Sequence, residues 1–174
     1  RGIDVGLLYN PKYFKVTSSK SFSLRDIDTT FYTRDQLLVS GLLNGEEVHV
    51  IVAHWPSRRG GEKRSKPRRA SAAKLGRMII DSLQANDPNA KIFYMGDLND
   101  DPTDDSVKKH LKGNGKEEAL SKKEMFNRMT KAGNFVIIKP RNHENRNQEN
   151  TFYGMPDIGF VNARPCCCPG DTGL

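Results

Sequence analysis

An Asn-Gly pair between two apolar segments is the feature that most constrains the fold. Asn44-Gly45 separates residues 36–43 from residues 47–53, and both segments are rich in apolar and β-branched residues. Asn-Gly is the strongest short-range signal for a two-residue β-hairpin, because both residues accept positive φ. We therefore predict two antiparallel strands, which bring Arg34, before the first strand, close to His54, at the end of the second.

A helix and a further strand are predicted after the hairpin. Apolar residues recur at helical spacing between Pro67 and Ala85, and the apolar segment 91–95 then indicates a buried strand. A helix followed by a buried strand predicts a crossover onto the same sheet. Shorter strands are predicted at 3–8, 14–16, 22–24 and 151–154, and shorter helices at 103–111 and 121–131. The mixture indicates an α/β or α+β fold class.

Residues with useful chemistry follow the predicted strand 91–95. Asp97 and Asn99 are two residues apart, so an extended backbone would place both on one side. Gly96 permits a close backbone approach or an unusual turn. A carboxylate beside an amide can hold a water or a metal and can donate to a phosphate oxygen. An Asp-rich turn without a function predicts the same residues, since Asp and Asn favour turns.

His54 ends the other strand, where the apolar residues give way to polar ones. A histidine there can donate to an anionic oxygen or shuttle a proton, although a purely structural histidine fits the same position. Because two strands each end in chemically capable residues, the pattern favours one shared site.

Positive charge is concentrated directly after His54. Residues 58–69 contain seven basic residues and one acidic residue, which is +6 of the net +7. We expect a flexible Gly-Gly loop that attracts polyanions, with a solvated, solubilising loop as the alternative. No apolar segment of the sequence approaches the ~18 residues that a transmembrane helix needs.

Several segments together resemble the endonuclease/exonuclease/phosphatase superfamily. The segment Val-Ala-His-Trp-Pro-Ser and the later Gly-Asp-Leu-Asn-Asp carry most of the resemblance, and the order and spacing of the motifs agree over residues 1–162. His-Trp-Pro-Ser-Arg-Arg-Gly-Gly is most similar to bacterial members. The matching segments are residues 2–11, 33–39, 52–57, 54–61 and 96–100.

The resemblance implies a two-sheet β-sandwich flanked by helices. Residues 1–162 would form an incomplete sandwich, the central and later part of one domain, and residues 163–174, with a Cys triplet, would be an irregular and aberrant tail. The family's upstream metal-binding Glu and its terminal Asp-His motif have no match. We therefore expect a fragment lacking both ends of the domain, with weak or no activity.

The resemblance also implies a divalent-metal-dependent phosphoesterase, nuclease-like, that uses Mg²⁺ or Mn²⁺. Asp97 would match the acid that orients or activates water and could also bind the metal, while Asn99 and His54 would match the residues that hold phosphate oxygens. Arg34 would match an arginine that contacts substrate phosphate. The alternative for Arg34 is a surface arginine next to Asp35.

The remaining site predictions lie on either side of these motifs. Arg58 and Arg59, at the start of the basic segment, are expected to bind substrate phosphate, and Asp157 is the weakest match, as a metal ligand. The acidic residues of 100–105 are interpreted as helix-start residues rather than metal ligands.

The substrate remains open among phosphate-bearing molecules. The basic segment favours an extended polyanion such as nucleic acid. A phosphatase for lipid or small-molecule phosphates and a non-catalytic polyanion-binding module are the two alternatives.

Overall fold

The computed structural model describes residues 4–114, 125–126, 135–137 and 159–162. Its strands are β1 (Gly6–Tyr9), β2 (Phe14–Phe22), β3 (Gln36–Leu43), β4 (Glu46–His54), β5 (Lys91–Asp97), β6 (Gly113–Asn114), β7 (Met125–Phe126), β8 (Phe135–Ile137) and β9 (Gly159–Asn162). Its helical elements are a 3₁₀ turn (Leu24–Asp26), helix α1 (Glu62–Asn86) and a π-helical turn (Ser106–Leu111).

The central sheet has the strand order β2-β3-β4-β5-β8. The strands β4 and β5 pair in parallel, whereas the other neighbours in this sheet pair antiparallel. Antiparallel β1 and β9 form a second, separate pair, and β6 pairs with β7. The mixed α/β architecture confirms the predicted fold class of an incomplete α/β sandwich.

The hairpin that the Asn-Gly pair predicts is present. Asn44 has φ 52° and Gly45 has φ 87°, the positive values that a tight two-residue hairpin requires. Leu43 pairs with Glu46 on either side of the turn. The predicted antiparallel pair is therefore confirmed, with each strand within one residue of its expected bounds.

Side chains alternate between the two faces of the central sheet, because successive residues of a strand point to opposite sides. One face packs against α1; its buried residues include Ile51, Ile92 and Tyr94 from the sheet and Ala72, Leu75 and Ile79 from the helix. The other face packs against β1, with Val39, Val52 and Leu7 in its core. The sheet is thus covered on both sides. Within the described residues, no helix combines the length and apolar character that crossing a membrane requires.

The helix α1 begins five residues before the predicted start at Pro67. Much of the segment predicted as a flexible basic loop is therefore helical. Arg69, which belongs to that segment, is 1% exposed and its Nη2 contacts Glu62 at 2.7 Å. The first two turns contain charged and polar residues, including the ion pair between Glu62 and Arg69, so hydrophobic spacing could not reveal them.

Two other predicted elements differ from the structure. The short strand predicted at 14–16 and the first residue of the one predicted at 22–24 belong to one nine-residue edge strand, β2, which has an irregularity between Val16 and Ser18, whereas Leu24 begins the 3₁₀ turn. The polar, exposed middle of β2 hides the strand periodicity. A helix was predicted over 121–131, but Met125–Phe126 form the short strand β7. The predicted strand at 151–154 and the tail at 163–174 lie outside the described residues.

Candidate functional site

Parallel pairing of β4 and β5 brings two of the predicted site residues together. His54 and Asp97 are register partners at the C-terminal ends of their strands. The imidazole Nε2 lies 3.7 Å from Asp97 Oδ2, and the two side chains are 28% and 43% exposed, respectively. Both groups are therefore adjacent and reachable from solvent, as a site for an external ligand requires.

Gly96 allows β5 to approach β4 closely at this point. The residue has φ 132°, and a Cβ at this position would lie 1.9 Å from the carbonyl oxygen of Ala53, its register partner. No side chain fits that space, and L-residues rarely adopt that φ. The predicted close backbone approach at this glycine is present, immediately before Asp97 in β5.

Asn99 reaches the site through a turn rather than through strand alternation. The strand β5 ends at Asp97, so the expected extended backbone across both residues is wrong. Instead, the Asn99 backbone N–H donates to Asp97 Oδ1 at 3.0 Å, and its Nδ2 donates to the Trp55 carbonyl at 3.0 Å. With φ 53°, Asn99 is left-handed, a conformation that Asn tolerates better than most residues. A local Asx-type turn thus brings the amide beside the carboxylate.

Arg34 acts on the imidazole electrostatically, as the hairpin geometry predicts. Burial lowers the pKa of His54 below its ordinary value of 6.5, the Arg34 charge lowers it further, and Asp97 opposes both. Near neutral pH, His54 is therefore mostly uncharged. A neutral imidazole carries a single N–H donor, which can face a phosphate oxygen while the other nitrogen accepts.

The two arginines predicted to bind phosphate have different surroundings. Arg58 faces carboxylates: its Nη2 lies 3.0 Å from Asp104 and 3.4 Å from both Asp100 and Asp101. Arg59 is exposed, on the turn that precedes α1. The structure thus places Arg58 in an ion-pair cluster and leaves Arg59 at the surface. The predicted metal ligand Asp157 lies outside the described residues.

A buried chain of hydrogen bonds lies beneath the site and was not predicted from the sequence. Trp55 Nε1 donates to the Tyr94 hydroxyl at 2.8 Å, which donates to Gln36 Oε1 at 2.9 Å. Gln36 Nε2 in turn donates to the Ala72 carbonyl of α1 at 2.7 Å. These bonds connect β3, β5, the residue that follows β4 and helix α1, and they lie behind Trp55, whose carbonyl receives the Asn99 amide. The polar Gln36 at the start of an apolar strand was the available signal.

An acidic residue next to Asn99 is also buried. Asp100 is 3% exposed in its side chain, its Oδ1 lies 2.5 Å from Arg69 Nε, and its other oxygen accepts from the Ser106 hydroxyl. Burial raises the pKa of Asp100, against the opposing effects of Ser106 and Arg69. Asp100 thus takes part in a buried ion pair and a hydrogen bond, and the interpretation of the acids of 100–105 as helix-start residues stays a prediction.

Comparison with known protein families identifies the chain. The model of the endonuclease/exonuclease/phosphatase family matches residues 1–137. The chain belongs to this family, which confirms the resemblance noted in the sequence. No curated protein matches the chain significantly.

Solved structures from several organisms match part of the chain. Sphingomyelinase C from Streptomyces griseocarneus is 17% identical, with a TM-score of 0.47 over 56% of this chain and 36% of that one. TDP2 from Caenorhabditis elegans is 19% identical, with a TM-score of 0.44 over 56% of this chain and 32% of that one. A mutant beta toxin from Staphylococcus aureus with bound magnesium ions is 21% identical, with a TM-score of 0.41 over 58% and 37%. The chain thus spans about a third of the length of each.

Proposed function

We propose that His54, Asp97 and Asn99 form part of the active site of a phosphoester hydrolase. Membership of the endonuclease/exonuclease/phosphatase family supports phosphoester chemistry in general. The observation that carries the assignment to these residues is the 3.7 Å approach of the solvent-accessible imidazole and carboxylate at the ends of adjacent parallel strands. Ligands commonly bind at such strand ends in open α/β sheets.

The proposed roles follow from the hydrogen bonds of each group. Asp97 Oδ1 accepts from the Asn99 backbone N–H, which fixes the carboxylate and directs Oδ2 toward His54. That second oxygen can accept a hydrogen bond from a water and orient it toward phosphorus. The water oxygen forms the new P–O bond and gives up a proton to Asp97 Oδ2, which releases it to solvent. The ester P–O bond breaks, and the leaving oxygen takes a proton from solvent.

Two groups are proposed to hold the nonbridging phosphate oxygens. Neutral His54 contributes one N–H donor, and the Asn99 amide retains a second hydrogen beyond the one it donates to the Trp55 carbonyl. Donors held in fixed positions stabilise charge that develops in the transition state. The Arg34 charge, already sensed by the imidazole, adds long-range attraction for an anionic substrate.

The described residues do not by themselves fit a resident divalent ion. In the described part of the chain, no group of three or more His, Cys, Asp or Glu residues is arranged so that it could hold a metal ion. Asp97 could supply one hard oxygen ligand. The dependence on Mg²⁺ or Mn²⁺ stays a prediction, which titration calorimetry with MgCl₂ or MnCl₂ on the native and Asp97→Asn proteins would test.

The test of the proposal is hydrolysis of a phosphodiester by the full natural protein and its variants. The substrate bis(p-nitrophenyl) phosphate serves as a probe, with p-nitrophenyl phosphate as the monoester. Asp97→Asn should lower kcat/KM by about 100-fold or more, because the amide cannot accept from and orient the water in the same way. The matched control is Glu47→Gln, which neutralises an exposed carboxylate near the opposite end of β4. Equal turnover by the native and Asp97→Asn proteins would contradict the assignment.

Exposed basic residues near His54 support a second candidate function, the binding of a polyanion without catalysis. Arg59, Lys63 and Arg64 are exposed at the N-terminal end of α1, close in sequence to His54. They support the alternative of a non-catalytic polyanion-binding module. Salt-dependent binding of an oligonucleotide, without hydrolysis of any phosphoester by the full natural protein, would favour that alternative over the hydrolase.

A further inference from the structure

One arginine joins the turn that carries Asn99 to the neighbouring acidic residues. Arg58 Nε donates to the Asn99 carbonyl oxygen at 2.9 Å. Its Nη2 donates to Asp104 Oδ2 at 3.0 Å and lies 3.4 Å from Asp101 Oδ2. These contacts span 41 to 46 residues of sequence, so they connect the segment before α1 to the segment after β5.

The acidic residues that receive Arg58 are themselves fixed. Asp104 Oδ2 also accepts from the Asp101 backbone N–H at 2.7 Å, which closes a tight turn. Asp100, whose Oδ1 lies 3.4 Å from Arg58 Nη2, is held from beneath by buried Arg69. Arg58 therefore contacts a rigid acidic surface on one side and the Asn99 backbone on the other.

The charges around Arg58 disfavour a direct contact with substrate. Four carboxylates lie within 3.4 Å of its guanidinium, those of Glu62, Asp100, Asp101 and Asp104. A phosphate would have to displace these partners and approach several negative charges. The sequence-based prediction that this arginine binds substrate phosphate is thus poorly matched to its surroundings.

We infer that Arg58 is a positioning residue, which holds Asn99 in the conformation that presents its amide to the phosphate. This inference rests on the proposed function of Asn99. The left-handed Asn99 is held at three points: its N–H by Asp97, its side-chain Nδ2 by the Trp55 carbonyl, and its own carbonyl by Arg58. Removal of the third contact frees the peptide after Asn99 to rotate, which lets the amide turn away from the site.

The experiment compares Arg58→Gln and Arg58→Lys with the matched control Lys63→Gln. Lys63 is exposed in the first turn of α1, so its substitution removes the same charge from the same region. In the Arg58 variants, we expect hydrogen exchange at the Asn99 backbone amide to accelerate about tenfold. Arg58→Lys should not restore slow exchange, because an ammonium cannot reproduce the bridge of a planar guanidinium. Lys63→Gln should leave the exchange rate unchanged.

Kinetics on the full natural protein separate positioning from substrate binding. We expect Arg58→Gln to lower kcat by about tenfold or more while KM changes less than twofold, because the lost interaction does not contact the substrate. A raised KM with unchanged kcat would overturn the inference and restore the phosphate-binding role. Unchanged exchange at Asn99 would also overturn it.

The test also covers an Arg58→Gln variant that does not fold and a native protein without hydrolase activity. If Arg58→Gln does not fold, Asp104→Ala removes the opposite end of the bridge, and it should accelerate exchange at Asn99 in the same way. If the native protein hydrolyses no phosphoester, the proposed function fails, whereas the exchange measurement still decides whether Arg58 holds Asn99.

Discussion

The surroundings of His54 shift the pKa of its imidazole in opposite directions. Burial and the Arg34 charge favour its neutral form, and the carboxylate of Asp97 favours its charged form. The net result is a lowered pKa, so the unfolded chain binds a proton more readily than the folded protein does. This residue therefore penalises the folded state as the pH falls from 6.5 through the folded pKa, and it contributes nothing further above 6.5.

Charge substitutions around His54 should move its pKa in opposite directions. Arg34→Gln should raise the pKa, because it removes a positive charge, and Asp97→Asn should lower it further, because it removes a negative one. The measurement is a proton NMR titration of the imidazole Hε1. His110 provides an internal control, since burial and Lys74 lower its pKa independently of the site. Failure of the His54 pKa to rise in Arg34→Gln would contradict the proposed environment.

The convergence of His54 and Asp97 could be predicted from the sequence, whereas the role of Arg58 could not. Each of the first two follows an apolar segment, and a crossover helix between those segments makes parallel pairing the expected arrangement. Apart from Glu62, the partners of Arg58 lie more than 40 residues away in a polar turn, where no periodicity applies. Asn99 is intermediate, since its neighbourhood was predicted correctly but its backbone conformation was not.

At the scale of the element, the parallel pairing of β5 with β4 requires a glycine at position 96, where the two backbones approach closely. Gly96→Ala should lower the free energy of unfolding by at least about 2 kcal/mol, because its Cβ would overlap the Ala53 carbonyl in a strained backbone conformation. Gly45→Ala is the control, since φ is also positive there but no atom lies within 4 Å of the added Cβ. That variant should lose only about 1 kcal/mol. Equal losses in urea denaturation would show that the close approach is not present.

The hydrogen-bond chain through Tyr94 unites the elements behind the site. Burial raises the pKa of the Tyr94 hydroxyl, which stays neutral and both donates and accepts. Tyr94→Phe would leave Trp55 Nε1 and Gln36 Oε1 without this buried partner. We expect a loss of about 2 to 4 kcal/mol in the free energy of unfolding.

Tyr13→Phe is the control for that prediction. Tyr13 is 47% exposed, so removal of its hydroxyl should change the free energy of unfolding by less than about 0.5 kcal/mol. Urea denaturation monitored by circular dichroism measures both variants. Similar stabilities for the two would indicate that the buried chain contributes little.

The element boundaries show why apolar periodicity alone was insufficient. Residues Ala72, Leu75 and Ile79 are buried as the helical spacing predicts, yet α1 begins ten residues before Ala72. Its first turns bury Arg69 and Ser65, which a hydrophobic pattern scores as solvent-facing. Because these first turns bury charged and polar residues, a hydrophobic pattern places the start of α1 five residues too late, at Pro67 instead of Glu62.

At the scale of the whole molecule, the basic residues of 58–69 differ in their surroundings. Arg58, Lys66 and Arg69 form ion pairs with carboxylates, and Arg68 lies over the Phe31 ring. The side chains of Arg59, Lys63 and Arg64 are exposed. The charge available to a polyanion is therefore smaller than the +6 of residues 58–69. The exposed charge of Arg59, Lys63 and Arg64 lies at the N-terminal end of α1, close in sequence to His54 at the C-terminal end of β4.

The salt dependence of oligonucleotide binding should show whether Arg59, Lys63 and Arg64 contact phosphates. The triple variant Arg59→Gln/Lys63→Gln/Arg64→Gln should reduce the slope of log K against log salt concentration for a single-stranded oligonucleotide by about 2, if each cation contacts one phosphate. Fluorescence anisotropy at several salt concentrations measures the slope.

The matched control removes the same charge elsewhere. Lys12→Gln/Lys15→Gln/Lys20→Gln changes three exposed residues on and beside β2, at the edge of the central sheet. This variant should leave the slope unchanged. Equal reductions in the two variants would mean that binding reflects net charge rather than a defined surface.

The register between β4 and β5 has a consequence for how such chains can diverge. Strand pairing, and not the connection between the strands, sets His54 opposite Asp97. Insertions or deletions in the exposed turn at Asp87–Asn89 should therefore be tolerated, since they leave both strands intact. A single inserted residue within either strand would turn the following side chains to the opposite face. Relatives can thus differ widely in crossover length and still retain the same pair of facing groups.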